Sequence, residues 1–180
     1  VLNADTIGQV IGHYLPEGAI ISDESITSAY GASMHTAASP AHDFLQLTGG
    51  ALGQGMPVAV GAAMACPDRK VICTSGDGSA LYTLQSLWTM AREQLDITVI
   101  IFANKTYAAL ALAHKQLGLG EPDPKSQALF DLENPELDWP SLAKGFGVET
   151  MRSLSIGDFA KHFDYCMRER GPHVIEAILE

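Results

Sequence analysis

Two short stretches of this chain are almost continuously apolar and rich in β-branched residues. They cover residues 71–74 and 97–103, and neither alternates between polar and apolar positions. Such runs indicate strands that are buried on both faces of a parallel sheet. Between them, leucines and a tryptophan recur at helical spacing, which predicts a helix over residues 80–94. The segment is therefore predicted to be a strand–helix–strand unit.

Strand-like and helix-like patterns alternate along the rest of the chain as well. Its 180 residues are enough for one α/β domain with its own core. We predict a single domain over residues 1–180, with three α/β/α layers around a central, mostly parallel sheet of about six strands. Further helices are predicted over residues 4–15, 56–65, 138–144 and 156–168, and another runs toward Met34 with Asp23, Glu24 and Ser25 as its cap. Further strands are predicted over residues 19–22, 44–47, 148–151 and 173–179. Residues 121–137 are predicted to form a long irregular loop.

The composition argues against several classes of function. A net charge of −10 disfavours nucleic-acid binding, which needs a basic surface. The uncharged segment 44–67 is interrupted by glycines and polar residues, and its apolar runs are shorter than the ~20 residues of a membrane span. The three cysteines, Cys66, Cys73 and Cys166, are odd in number and form no CxxC motif, and two of them lie in apolar segments. We therefore expect free thiols in a reducing cytoplasm rather than disulfides or a zinc site.

Each of the two buried strands ends in a polar turn. Residues 76–79 read GDGS and residues 104–107 read NKTY. Both turns fall at carboxyl ends of strands, where open α/β sheets bind ligands, and glycines before a helix suit a phosphate. A carboxylate there repels phosphate unless a cation lies between them. Mg²⁺ prefers about six oxygen ligands, and the Asp77 carboxylate, the Asn104 amide and the Thr106 backbone carbonyl could supply three. From these residues alone, a helix cap and a turn residue remain the alternative.

The two turns and the sequence before them closely resemble the signature of one enzyme family. The GDGS turn, Asn104 at 104 − 77 = 27 residues after Asp77, the apolar strand before it and GGALGQGMP at residues 49–57 match the diphosphate-binding domain of thiamine-diphosphate enzymes. The resemblance covers nearly the whole chain and is to the branch of benzoylformate decarboxylase and acetolactate synthase. It implies the thiamine-diphosphate-binding fold, thiamine diphosphate and Mg²⁺ as cofactors, and Asp77, Asn104 and Thr106 as metal ligands.

The resemblance also implies roles for residues outside the metal site. Leu52 would wedge the cofactor into a V shape, and the Gly50 carbonyl would accept a hydrogen bond from the pyrimidine amino group. This geometry brings that nitrogen close to the thiazolium C2 proton, which it must remove. Each of these segments also has a plainer interpretation: a tight turn for the glycine-rich residues 49–53, helix capping for residues 24–27, and helix packing for Ala109 and Leu110. The other implied cofactor contacts are Gly76, Gly78, Ser79, Tyr107, Ala108 and Thr27, with Ser25 a weaker candidate; Ala109 and Leu110 would line the substrate pocket, with His114 near its entrance.

The glutamate that activates the cofactor in this family is not recognisable in the sequence. In the family it belongs to a pyrimidine-binding domain, usually on a partner subunit. Glu93, Glu133 and Glu176 lie in contexts typical of the protein surface, and the chain begins at Val1 rather than at a methionine. We therefore expect a fragment of a longer, three-domain polypeptide or a subunit of a split enzyme, assembled as a homodimer or tetramer. Alone, it should bind the cofactor poorly and turn nothing over.

The implied reaction breaks or makes a carbon–carbon bond next to the carbonyl of a small 2-oxo acid. Residues 107–110 (YAAL) and 139–148 look like benzoylformate decarboxylase, although Ala108 stands where that group usually has glycine. Lys105 and residues 111–114 (ALAH) depart from the second asparagine and the Gln-Trp-Gln run of many acetolactate synthases. An acetolactate synthase-type carboligase is therefore the alternative.

Two further classes of protein are less well supported by the sequence. A nucleotide-binding Rossmann domain would need a third glycine at Leu81, and the GDG turn lacks the lysine of a P-loop. A non-catalytic relative of the fold that only assembles with other chains is disfavoured by the intact pair of Asp77 and Asn104.

Overall fold

Six parallel strands form the central sheet of the computed structural model, which describes residues 1–179. The strands are β1 (Ile20–Glu24), β2 (Asp43–Gln46), β3 (Val71–Gly76), β4 (Ile97–Ala103), β5 (Glu149–Ser153) and β6 (His173–Ile178). Their order across the sheet is β2-β1-β3-β4-β6-β5, and every neighbouring pair is parallel. The predicted α/β fold is confirmed, and the sheet is wholly rather than mostly parallel.

Helices connect the strands and cover both faces of the sheet. Several begin at a polar residue whose side chain accepts a backbone N–H of the first turn, which explains where they start; α1 and α9 are examples, with Asn3 and Ser155 as caps. Within residues 1–179, no helix has both the length and the apolar character needed to cross a bilayer. The helices are α1 (Ala4–Tyr14), α2 (Ala29–His35), α3 (Gly55–Ala65), α4 (Asp77–Ala80), α5 (Ser86–Arg92), α6 (Ala108–Gln116), α7 (Pro124–Phe130), α8 (Trp139–Gly145) and α9 (Ile156–Arg168), with 3-10 turns at Ile26–Ser28 and Leu81–Thr83.

Strand β4 shows why the sequence of the central strands lacks polar alternation. All seven of its residues are buried. Ile97, Val99 and Ile101 contribute to the core under α3, α5 and α8, whereas Ile100 and Phe102 contribute to the core under α1 and α9. Because side chains of a strand alternate between faces, both sets must be apolar when helices cover both faces.

Three predictions of local structure are wrong. The helix expected over residues 80–94 is broken into α4, a 3-10 turn and α5, because the apolar spacing continues through a backbone that does not stay α-helical. The loop expected over residues 121–137 contains α7, which begins with Asp123 as its cap and Pro124 in its first turn. Asp23 and Glu24, expected to cap a helix, are instead the last two residues of β1.

Glu176 is also not the surface residue that its context indicates. It lies on β6 and is 1% exposed, where it pairs with Arg152 of the neighbouring strand β5. Burial raises the pKa of Glu176, and the hydrogen bond from Arg152 lowers it. The partner that makes burial tolerable is remote in sequence, so local context does not reveal it.

Helices α1 and α2 meet through glycine backbones. A Cβ atom added to Gly8 would lie 2.2 Å from the carbonyl oxygen of Gly31, and one added to Gly31 would lie 1.9 Å from that of Ala4. Both distances are far below van der Waals contact, so only glycine allows this approach. The contact holds α2 in place immediately after the chain leaves β1.

Replacing Gly8 by alanine should lower the free energy of unfolding by at least about 1–3 kcal/mol, because the new methyl group meets fixed backbone atoms. The matched control is Gly61→Ala, also inside an 11-residue helix, where a Cβ meets nothing within 4 Å. That change should stabilise by about 0.5–1 kcal/mol through helix propensity. Chemical denaturation measures both, and equal effects of the two substitutions would contradict the packing account.

Candidate functional site

A cleft of about 310 Å³ opens at the carboxyl edge of the sheet, where β1, β3 and β4 end. From β1 the chain passes to α2 on one face, and from β3 it passes to α4 and α5 on the other. Open α/β sheets bind ligands at such a change of direction. The lining contains every cofactor, metal and substrate residue predicted from the sequence except Gly50 and His114. It also contains residues that the sequence did not single out: Ile26, Ser28, Tyr82 and Phe102.

Asp77 joins the two polar turns through its carboxylate. The residue is 3% exposed; its Oδ1 accepts the N–H of Gly78 at 2.8 Å, and its Oδ2 accepts the N–H of Lys105 at 2.7 Å. Burial raises the pKa of Asp77, and the backbone hydrogen bonds lower it. A carboxylate oxygen has two lone pairs, so each oxygen can also bind a cation.

The turn after β4 presents Asn104 and Thr106 to the same cleft. The amide oxygen of Asn104 accepts the N–H of Thr106 at 3.1 Å, and the hydroxyl of Thr106 donates to the Phe130 carbonyl at 2.9 Å. Lys105 between them has a φ of 58°, in the left-handed region. Its ammonium lies 2.7 Å from a Glu136 carboxylate oxygen, so the side chain is directed toward the segment between α7 and α8.

The available donors at this end of the cleft fit a hard divalent cation. The Asp77 carboxylate, the Asn104 amide and the Thr106 carbonyl are all oxygens, which Mg²⁺ prefers. A bound cation would also offset the cost of burying the Asp77 charge. Among residues 1–179, no group of three or more His, Cys, Asp or Glu side chains could hold a metal ion. A metal site here would therefore depend on amide and backbone oxygens beside a single carboxylate.

The family resemblance implies that Gly78 and Tyr107 contact the cofactor, which their backbone N–H groups would do by donating to a phosphate, but both N–H groups already have acceptors within the protein. The N–H of Gly78 donates to Asp77, and the N–H of Tyr107 donates to the Phe130 carbonyl at 2.8 Å. The structure does not support these two phosphate contacts. A Cβ on Gly78 would lie 2.4 Å from the Tyr107 ring, so glycine is needed here for packing.

The glycine-rich bend of residues 49–53 places Leu52 at the mouth of the cleft, where its side chain is 46% exposed. Gly49, Gly50 and Gly53 have φ values of 62°, 68° and 90°, which explains three glycines in five positions. Gly50 is exposed and lies outside the lining. Its contact with a pyrimidine ring stays a prediction.

Two side chains beside this bend have internal partners that the sequence did not indicate. Glu24 is 1% exposed and accepts the N–H groups of Gly53 and Gly55. The Ser25 hydroxyl donates to Asp23 Oδ1 at 2.6 Å, whereas Thr27 is exposed at the cleft. The only signal for Glu24 was two acidic residues at the end of an apolar strand, and that pattern also suits a helix cap.

His114 does not face the cleft. Its ring packs edge-on against Phe130 at 5.9 Å between centroids. The neighbouring substrate-pocket candidates, Ala109 and Leu110, do line the cleft, at the start of α6. The predicted role of His114 near a substrate entrance therefore has no support in the geometry.

Comparison with known protein families identifies the domain. A family model described as "Thiamine pyrophosphate enzyme, C-terminal TPP binding domain" matches residues 26–177. The chain belongs to this family. The match includes both polar turns, the glycine-rich bend and all strands except β1 and the last residue of β6.

Relatives of this thiamine pyrophosphate-binding domain are named as synthases and as decarboxylases. The chain is 43% identical to "Putative acetolactate synthase large subunit IlvX" of Mycobacterium tuberculosis, over 99% of this chain and 35% of that protein. It is 31% identical to benzoylformate decarboxylase of Pseudomonas aeruginosa, over 97% and 32%. The solved structure of a Rhodococcus jostii 4-hydroxybenzoylformate decarboxylase superposes with a TM-score of 0.86 at 30% identity, over 99% and 32%. The domain thus spans about a third of these relatives.

Replacing Asp77 by alanine should loosen the junction of the two turns even without metal or cofactor. The N–H groups of Gly78 and Lys105 lose their acceptor, and a lost hydrogen bond of ~0.5–1.5 kcal/mol should accelerate amide exchange there by roughly 2- to 10-fold. Asp123→Ala is the control, because it removes the acceptor of the Ser126 N–H outside the cleft. Hydrogen exchange at Lys105 that is equally fast in wild type and Asp77→Ala would contradict the bridging role.

Proposed function

We propose that this domain anchors thiamine diphosphate through Mg²⁺ in a 2-oxo acid decarboxylase or carboligase similar to benzoylformate decarboxylase. The observation that carries the proposal is the buried Asp77 carboxylate, in the same cleft lining as Asn104 and Thr106. Membership of the family supports the cofactor. The two relatives named as decarboxylases support the reaction class.

Each group of predicted site residues has a separate task in this proposal. Asp77, Asn104 and Thr106 would hold the cation, whose positive charge would offset that of the diphosphate. Leu52 and Gly50 shape the bound cofactor, and Ala109 with Leu110 borders the substrate. When bound, thiamine diphosphate supplies the nucleophilic carbon and the electron sink for cleavage beside a carbonyl. Gly76, Ser79, Thr27 and Ala108 would surround the diphosphate, and Gly78 and Tyr107 would line the same space although their N–H groups bond within the protein.

Exposed apolar side chains at the mouth of the cleft are an argument that another domain covers this surface in the complete enzyme. Leu52, Tyr82 and Leu110 are each about half exposed there, and none of the residues of α6 is buried. Exposed apolar side chains in one place mark a surface that another protein surface covers. We assign this surface to a pyrimidine-binding domain, of the same chain or of a partner in a homodimer or tetramer, which would supply the activating glutamate.

Free thiols at Cys66, Cys73 and Cys166 suit a cytoplasmic enzyme.

Acetolactate synthesis is the second candidate function, favoured by the name of the 43%-identical relative. Both reactions begin with a 2-oxo acid, so product analysis separates them. A decarboxylase releases CO₂ and an aldehyde, whereas a carboligase joins the remaining fragment to a second carbonyl compound. A purely assembling subunit would do neither, and the complete oxygen donor set of Asp77, Asn104 and Thr106 argues against it.

In the complete enzyme, Asp77→Ala and Asn104→Ala should each abolish Mg²⁺-dependent binding of thiamine diphosphate, because each removes one of three protein ligands. Isothermal titration calorimetry with and without Mg²⁺ measures this loss. Asn3→Ala is the matched control, since Asn3 only caps α1 and should cost about 1 kcal/mol of stability without affecting binding. Unchanged affinity in both cleft variants would refute the metal assignment.

Leu52→Ala should leave cofactor binding largely intact but slow hydrogen–deuterium exchange at the thiazolium C2. The smaller side chain no longer holds the two rings in the bent geometry that proton removal needs. NMR of the quenched cofactor measures the exchange rate. Leu154→Ala, at an exposed leucine outside the cleft, should behave as wild type. A wild-type rate in Leu52→Ala would remove Leu52 from the mechanism.

A further inference from the structure

We propose that Glu24 is a positioning residue whose carboxylate fixes the glycine-rich bend of residues 49–53, and with it the placement of Leu52 in the cleft and of the neighbouring Gly50. This inference rests on the function proposed above, because the placement of the bend matters when a cofactor lies against it. Glu24 itself is not part of the cleft lining. It would act only through the bend.

The end of the bend and the first residue of α3 are held through the backbone N–H and carbonyl groups of two glycines, Gly53 and Gly55. Glu24 accepts the N–H of Gly53 with one carboxylate oxygen and the N–H of Gly55 with the other, the latter at 2.7 Å. The hydroxyl of Ser22, two residues earlier on β1, donates to the Gly55 carbonyl at 2.9 Å. The hydroxyl of Thr83 donates to the Gly53 carbonyl at 2.9 Å. These four hydrogen bonds leave the segment directly after Leu52 little freedom to move.

The fit between the carboxylate and the bend is close. A Cβ atom on Gly55 would lie 2.7 Å from Oε2 of Glu24 and 2.8 Å from its Cβ. A Cβ on Gly53 would lie 2.9 Å from the Cβ of Tyr82. Glycine at position 55 therefore allows the backbone to approach the carboxylate closely, and glycine at position 53 avoids a clash with Tyr82.

The negative charge of Glu24 is costly for the fold. Burial raises its pKa, hydrogen bonds from the N–H groups of Gly55, Gly53 and Gln54 lower it, and the neighbouring Asp23 raises it. Within residues 1–179, no lysine, arginine or histidine forms a salt bridge with Glu24. An uncharged residue would avoid the cost of burying this charge.

A carboxylate provides something that an uncharged side chain of the same shape does not. It has two acceptor oxygens and no donor, and so can accept two backbone N–H groups at once. Glutamine has one acceptor oxygen, and its NH₂ group would face the second N–H.

The Glu24 carboxylate also lies at the start of α3, whose N-cap Gln54 makes no side-chain capping bond. A helix cap without influence on the cofactor is therefore the competing explanation, and the experiment must separate the two.

The test is Glu24→Gln in the complete enzyme. Thiamine diphosphate affinity with Mg²⁺ should stay within about twofold of wild type, because the anchoring turns after β3 and β4 are separate from this contact. Exchange of the thiazolium C2 proton should slow by about tenfold or more, since it depends on the placement of the bend. Gly55→Ala displaces the same contact from the other side and should give the same split. Without cofactor, amide exchange at Gly53 and Gly55 should rise in Glu24→Gln.

Asp96→Asn is the matched control. It makes the same carboxylate-to-amide change at the opposite edge of the sheet, where Asp96 pairs with Lys70 and accepts the N–H of Gly171. It should leave cofactor affinity and C2 exchange unchanged even if thermal stability falls.

Several outcomes would overturn the proposal. Folded Glu24→Gln and Gly55→Ala enzymes with wild-type C2 exchange would show that Glu24 is only a helix cap. Failure of both variants to fold would overturn it too, because Glu24 would then support the whole domain rather than the bend. A wild-type enzyme that binds no thiamine diphosphate would refute the proposed function itself, whereas normal wild-type binding with unchanged variant exchange refutes only the role of Glu24.

Discussion

The hydrogen bond from the Lys105 backbone to the Asp77 carboxylate determines how the cleft is assembled. Parallel pairing places Gly76 opposite Phe102, so the turns that follow β3 and β4 begin side by side. The carboxylate then joins them, with one oxygen on each turn. Backbone N–H groups stabilise the buried charge without neutralising it. The result is a cleft whose lining contains a buried carboxylate that has no salt bridge with any cationic side chain of residues 1–179.

Buried carboxylates are a repeated feature of this edge of the sheet. Glu24 ends β1, Asp77 follows β3 and Glu176 lies on β6, and burial raises the pKa of all three. Of these three, Glu176 alone forms a salt bridge within the described part of the chain, with Arg152. The other two rely on backbone N–H groups of glycine-containing segments, which can approach closely because glycine has no side chain. The glycines near this edge therefore help to make the burial of Glu24 and Asp77 possible, because they let backbone N–H groups reach the carboxylates.

The sequence predicted the parts of this structure that depend on local patterns. The bounds of β4 and α9 agree with prediction, because uniform burial and strong amphipathicity leave a clear periodic signal. The two polar turns were also recognisable, since each is a short contiguous motif. The break between α4 and α5 was not, because apolar spacing does not distinguish a continuous helix from one interrupted by a 3-10 turn.

Features that depend on remote contacts were beyond prediction from one sequence. The partners of Glu24 lie about 30 residues away, and Arg152 lies 24 residues from Glu176. The fit of Gly8 against Gly31 likewise requires knowledge of how two helices cross. In each case the residue type alone favours a solvent-exposed acid or an unremarkable glycine.

The cleft draws its walls from segments after three different strands and from the bend before α3, which are separated by tens of residues. No partly folded chain lacking β4 can contain it. Occupancy is therefore coupled to cooperative folding of the entire sheet: a ligand that binds only the folded state stabilises the whole domain by mass action. Conversely, damage to the core far from the cleft weakens apparent affinity once an appreciable fraction of molecules is unfolded.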